Sequence, residues 1–221
     1  MALIYLLRHA ESSANVAGIL AGRSEGITLS KRGRAQSRAL VTALKAYEFR
    51  AIYSSPLERC LETIEPYASL TGKRVKLAEE FIEMDYGHWS GRKLNSLRRE
   101  KLWKTIQRSP SKVRFPEGES FPELAKRIKS GMNQVSKTHP RGGVLVVSHG
   151  DPIKVAISVA LGLELDHFQK LVVDPGSLTI IDWPSGTLVC ANVSLTAKRR
   201  SNGRTSKGLT NRKVLGGGTN A

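Results

Sequence analysis

Two histidines close two apolar runs. ALIYLL, residues 2–7, is followed by Arg8-His9-Ala10, and VLVVS, residues 144–148, by His149-Gly150. A continuous apolar run of this length marks a strand buried on both faces of a sheet. Each run therefore ends alike, as strand, histidine, small residue and loop, and neighbouring parallel strands would hold both rings in one crevice. Taken singly, a strand-end histidine is a partly buried, hydrogen-bonded side chain; the pair is what points to chemistry. The other three, His88, His139 and His167, fall in polar stretches or near turns, where a solvated surface position is expected. Imidazole can bind metal, move protons or attack an electrophile. No His-Glu-x-x-His run or Asp/His cluster accompanies the pair, and the cation of Arg8 beside His9 opposes a bound dication. A guanidinium at that place suits an anion, and it is the natural bidentate partner of phosphate.

The elements that must position these residues alternate in type. LSKRGRAQSRALVTALKAY reads as a helix capped by Ser30. AIYSS is a short strand, and Ser55-Pro56 then opens a helix with Ser as cap and Pro at its first position, kinked at Pro66. RVKLAE is a third strand. LNSLRREKLWKTIQ reads as one basic helix and SFPELAKRIKSGMNQVSKTH as another. GGVLVVSHG is the strongest strand signal, and PIKVAISVALGL is a helix ending at Gly162. SLTIIDW and TLVCANV, joined through Pro184-Ser185-Gly186, close the fold as an antiparallel edge. This alternation predicts an α/β fold, a three-layer α/β/α sandwich on a mainly parallel central sheet. Such sheets bind ligands beyond the carboxyl ends of their strands, where His9 and His149 fall.

LLRHAESSAN resembles the Arg-His-Gly-Glu-Thr signature of the histidine phosphatase superfamily, the phosphoglycerate-mutase-like proteins. SSPLERCLETI is similar to that family's motif for a second phosphate-binding arginine, here Arg59. FIEMDYGHWSG is similar to the segment with its acid/base glutamate, here Glu83, and VVSHG to the motif with its second histidine, His149. FPEGESFPEL resembles the segment ahead of the penultimate helix. The motifs stand in family order and the resemblance runs from Met1 to Val193; Ala10 departs from the commoner glycine. The resemblance implies the family's fold and a nucleophilic His9 that becomes transiently phosphorylated. It also implies a phosphate site of Arg8, Asn15, Arg59 and His149, with Glu83 as general acid and base, and the Gly150 N–H, near the start of the following helix, is a further donor by its position. With Arg8, Arg59 and His149 to meet the charge on the transferring phosphoryl group, neither a metal nor another cofactor is required, and no Walker loop is present.

Several residues keep two readings. Asp85 competes with Glu83 but lies two residues closer to the glycine than the family glutamate does. Asp151 either caps a helix or orients His149. Met84, Tyr86 and Trp89 either line a pocket or pack. Arg23, Arg92 and Lys93 either hold a second anionic group or are solvated.

Hydrolysis of a small phosphorylated metabolite is the expected activity, because the segment from Arg92 to Pro116 is shorter than the site-covering insertion of cofactor-dependent glycolytic mutases. The alternative is a phosphomutase, which alone would need a bisphosphorylated primer; a non-catalytic polyanion binder is a third reading, weakened by the complete residue set. The 221 residues are 40% hydrophobic and 24% charged, ordinary for a globular protein. Cys60 and Cys190 show no metal or redox spacing. The first apolar run is too short for a signal peptide or a membrane span, so a cytoplasmic protein is expected.

The net charge of +16 is densest at one end. The stretch from Thr196 to Ala221 holds seven Lys/Arg and no acid, leaving about +9 on a domain of residues 1–195. That tail is expected to be a disordered, solubilising segment, with weak polyanion contact as the alternative and no specific nucleic-acid recognition. Removing residues 198–221 should leave turnover and melting temperature nearly intact and lower any salt-sensitive retention on heparin. A large drop in melting temperature would show that the tail docks on the domain.

Overall fold

The computed structural model describes residues 2–183 and 185–195. In chain order its elements are β1 (Ala2–Arg8), α1 (Ser13–Ala17), α2 (Lys31–Leu44), β2 (Phe49–Ser54), α3 (Glu58–Thr71), β3 (Val75–Leu77), α4 (Leu94–Leu97), α5 (Lys101–Arg108), α6 (Phe121–Thr138), β4 (Gly142–Ser148), α7 (Gly150–Ala160), β5 (Ser177–Trp183) and β6 (Thr187–Ser194). Six strands form one sheet in the order β3-β2-β4-β1-β5-β6. The neighbours among β1 to β4 pair in parallel, β5 runs antiparallel to β1, and β6 antiparallel to β5 at the edge.

Successive side chains of a strand point to opposite faces. On one face Ile4, Leu6, Val144 and Val146 pack with Ile128 and Met132 of α6 and Ile153 and Ile157 of α7. On the other, Leu7, Leu145 and Val147 pack with Leu40 and Leu44 of α2 and Ile64 of α3. Both faces are covered, so the sheet is the middle layer of three. The central strands must be apolar throughout, which is why they show no alternation in sequence.

Local chemistry explains where the helices hold or break. The Ser30 hydroxyl accepts from the Gly33 N–H at 2.9 Å, as expected of a cap. Gly33 itself is required, because a Cβ there would lie 1.9 Å from the Glu11 carbonyl oxygen. The first turn of α2 thereby sits directly on the loop that follows His9. α3 continues through Pro66, which cannot donate to the Glu62 carbonyl four residues earlier. The Ser37 hydroxyl on α2 donates to that carbonyl instead, at 2.9 Å.

Two expectations are corrected. Ser55 does not cap α3, whose N-cap is Leu57 without a side-chain bond. The single helix expected over 94–107 is two, α4 and α5. The pairs Leu94/Leu97 and Trp103/Ile106 are each buried. From Leu97 to Trp103 is six residues, about 240° of helical rotation, so one continuous helix would turn the second pair away from the core. The basic tail, residues 196–221, lies outside the described residues. Among the described residues no helix is long and apolar enough to cross a membrane.

Candidate active site

β1 and β4 lie side by side with Arg8 opposite Ser148. Just beyond, the His9 N–H donates to the Ser148 carbonyl at 2.9 Å. This register brings His9 and His149 together, ring centroids 5.2 Å apart, and both are buried.

His9 Nδ1 lies 2.7 Å from the Ala10 carbonyl oxygen. A carbonyl only accepts, so the contact assigns the proton to Nδ1 and leaves a lone pair on Nε2. Burial, and then the Arg59 and Arg8 cations, hold its pKa well below the ordinary value. The ring is therefore neutral at physiological pH, the state that can attack phosphorus. His149 is kept neutral in the same way, by burial first and the Arg59 cation second. Its Nε2 lies 2.7 Å from the Ser55 hydroxyl and its Nδ1 4.0 Å from Glu83 Oε2. Cys60 Sγ is 3.5 Å from His149 Nε2. Burial pushes that thiol up to about 12, so it stays protonated.

Two buried guanidinium groups flank the rings. Arg8 Nη1 donates to the Val173 carbonyl at 2.7 Å. Arg59, in the first turn of α3, donates from Nη2 to the Gly22 carbonyl at 2.7 Å, while its buried Nη1 has no hydrogen-bond partner. A buried donor left unmatched is costly, and Arg59 lines a cavity, where a guanidinium suits an incoming oxyanion. Asn15 Oδ1 accepts from the Ser12 N–H at 3.0 Å and the Ser12 hydroxyl at 2.9 Å. That orients the amide and leaves its nitrogen to donate elsewhere. Gly150 opens α7 directly after His149, and first-turn amides have no acceptor within their helix. Together His9, Ser12, Asn15, Arg59, Glu83 and Tyr86 give the cavity its polar wall, while Arg8, His149 and Gly150 are not part of its lining.

Glu83 reaches this wall from the loop before α4. Arg127 of α6 clamps that loop, donating to the carbonyls of Glu80 at 2.7 Å, Ile82 at 2.9 Å and Glu83 at 3.1 Å. Arg23 adds a bond to the Glu83 carbonyl at 3.0 Å. The Glu83 carboxylate accepts from the Met84 N–H at 2.9 Å. Burial, and then the nearby Asp151 carboxylate, push its pKa up to about 7, the range for giving and taking protons near neutral pH. Asp85 does not enter the cavity wall. It accepts from the Gly87 N–H at 2.9 Å and faces Arg23 at 3.7 Å, partly exposed.

The remaining ambiguities resolve by burial. Asp151 does not cap α7, whose N-cap is His149; buried in the first turn, it accepts from the Tyr86 hydroxyl at 2.7 Å. Tyr86 lines the cavity, whereas Met84 and Trp89 are core, Trp89 stacked on Trp103. His88 is exposed, but His139 and His167 are half-buried, and His139 Nε2 lies 3.1 Å from the Tyr53 hydroxyl. Among the described residues no three His, Cys, Asp or Glu side chains are grouped as metal ligands would be.

Sequence reading took Ser55 only for a helix cap and passed over Arg127. Ser55 follows β2 at its carboxyl end, the same position that singles out His9 and His149, and that was the available signal. Arg127 grips backbone carbonyls, which no residue code in the sequence marks.

Comparison with known proteins shows the family of the chain. The family model of the histidine phosphatase superfamily (branch 1) matches residues 4–196. Phosphoserine phosphatase 1 of Hydrogenobacter thermophilus is 32% identical over 202 residues, covering 89% of this chain and 93% of that protein. The 2,3-bisphosphoglycerate-dependent phosphoglycerate mutase of Thermoplasma acidophilum is 31% identical over 191 residues, 86% of this chain and 91% of that one. Among solved structures, the α-ribazole phosphatase of Shigella flexneri superposes with a TM-score of 0.77 at 26% identity, covering 87% of this chain and 96% of its own. The protein is thus an enzyme and belongs to the histidine phosphatase superfamily, branch 1, among relatives that include both phosphatases and phosphomutases.

Proposed function

We propose that the protein is a metal-independent phosphomonoester hydrolase that works through a phosphohistidine on His9. The observation that supports this most is a single cavity holding an unprotonated histidine nitrogen, an unpartnered guanidinium N–H on Arg59 and a carboxyl group poised near neutrality. In the first step His9 Nε2 attacks phosphorus and the P–O bond to the leaving group breaks. Glu83 donates its proton to the departing oxygen. Arg8, Arg59 and His149 surround the equatorial oxygens, with Asn15 and the Gly150 N–H as further donors, so the charge that many phosphotransferases meet with magnesium is met by side chains. In the second step water attacks phosphorus, gives its proton to Glu83 and releases inorganic phosphate as the P–N bond breaks. The substrate is a small phosphorylated metabolite.

The mutase relative at 31% identity keeps phosphoryl transfer back to a hydroxyl as the second reading. Incubation with 3-phosphoglycerate and 2,3-bisphosphoglycerate separates the two. Slow release of phosphate with no isomer interconversion, unchanged by EDTA, is the expected result. Rapid interconversion of the phosphoglycerate isomers with little free phosphate would establish the mutase, and loss of activity in EDTA would refute the arginine-only account.

A further inference from the structure

We infer that the phosphomonoester taken by this site carries an uncharged, largely apolar leaving group and no second anionic group. This rests on the hydrolase reading above. Apart from the polar wall already described, the cavity is lined by Ala14, Ile19, Leu20, Ala21 and Leu94. Among the described residues, the charged or ionisable side chains lining the space are His9, Arg59, Glu83 and Tyr86, and the first three serve the phosphoryl group. The Tyr86 hydroxyl is already spent on Asp151. The walls beyond are built mainly from alanine, isoleucine and leucine residues.

Among the described residues, two of the three candidate cations for a second anion, Arg23 and Arg92, are paired elsewhere. Arg23 donates to the Glu83 carbonyl at 3.0 Å and to Glu119 at 3.3 Å, and faces Asp85 at 3.7 Å. Glu119 is itself gripped by Arg127 at 2.7 and 2.9 Å, so Arg23 sits in a fixed cluster. Arg92 pairs with Glu100 at 2.7 Å. Lys93 is exposed, where water and salt screen its charge. The surface beyond Arg23 carries Asp85, Glu117, Glu119 and Glu123 against Arg23, Arg114 and Arg127, and so gives a second anion no net attraction. A carboxylate or second phosphate would have to leave water for a carbon wall without a partner, which is unfavourable.

The test compares kcat/KM of the full-length enzyme for ethyl, propyl and butyl phosphate with that for 3-phosphoglycerate and phosphoserine. Alkyl alcohols are nearly equal as leaving groups, so the alkyl series reads contact with the wall. A rise of roughly fourfold per methylene is expected until the cavity is filled. Butyl phosphate should exceed both charged esters by at least about tenfold, the effect of one or two well-buried methylenes. Ile19→Ala should flatten the alkyl gradient, and Leu94→Arg should raise turnover of 3-phosphoglycerate relative to butyl phosphate. A flat alkyl series with either charged ester preferred would overturn the inference and leave the hydrolase standing. Release of phosphate from none of the esters, p-nitrophenyl phosphate included, would overturn both.

Discussion

His9→Ala should lose turnover on every phosphomonoester, by a factor on the order of 10⁶ in kcat, the scale on which loss of a covalent nucleophile registers. The substitution removes the Nε2 lone pair that the Ala10 carbonyl contact leaves free. It keeps β1, whose seven residues end at Arg8 and are held by β4 and β5 on either side. The mutant should therefore melt as a folded protein while its chemistry is gone. Wild-type enzyme quenched during turnover of a labelled ester should carry acid-labile phosphate, and the mutant none. Turnover retained by His9→Ala, or label stable to acid in the wild type, would refute the phosphohistidine.

Glu83→Gln should separate substrates by their leaving groups. An alkoxide must be protonated as the P–O bond breaks, whereas a nitrophenolate departs unaided. Glutamine keeps the size and the bond from the Met84 N–H but carries no proton to give. Phosphorylation of His9 by an alkyl phosphate should slow about 10²–10⁴-fold, the usual contribution of a general acid, and phosphorylation by p-nitrophenyl phosphate far less. Water attack on the phosphohistidine then lacks its base. With p-nitrophenyl phosphate the mutant should show a fast first-turnover burst of nitrophenolate and a slow steady state. The pH dependence has a definite sign. Burial and the Asp151 carboxylate raise Glu83 to about 7, so the acid form persists to there and not merely to the usual carboxylate range. In the wild type the first step with an alkyl phosphate should fall as pH rises through about 7, and the same step with p-nitrophenyl phosphate should not. Equal slowing of both esters in Glu83→Gln would make Glu83 a positioning group. Asp85→Asn is the control, and a leaving-group dependence there instead would assign the proton to the other carboxylate.

Much of this site was legible before any coordinates, because its two histidines end strands whose whole sequence is apolar. Burial on both faces is a strong local constraint, and it writes itself into residues 2–7 and 144–148 without reference to the rest of the chain. The cap at Ser30 and the α/β alternation were legible for the same reason, since each depends on near neighbours. Arg59, Glu83 and Asn15 are different: alone they read as a helix cation, a loop acid and a polar residue, and they entered through family resemblance.

Other features were decided by the tertiary structure. Sequence order does not say that β4 inserts between β1 and β2, yet that placement is what sets Ser148 beside His9. Two carboxylates two residues apart in one loop were told apart in sequence only by family resemblance; in the fold Arg127 and Arg23 bind the loop's carbonyls, with Glu83 buried at the cavity and Asp85 outside its wall and partly exposed. The break between α4 and α5 came from where Trp103 and Ile106 could be buried, not from any breaker residue. Arg23 offered a free charge in sequence and is fixed in the fold by Glu119 and a backbone carbonyl. The division is physical. By itself the sequence determined the central strands, the Ser30 cap and the chemical types, because burial and capping act over a few residues. The fold decided which strands are neighbours, which charges are already paired and which carboxyl group is buried enough to hold a proton near neutral pH, because those depend on groups brought together from distant parts of the chain.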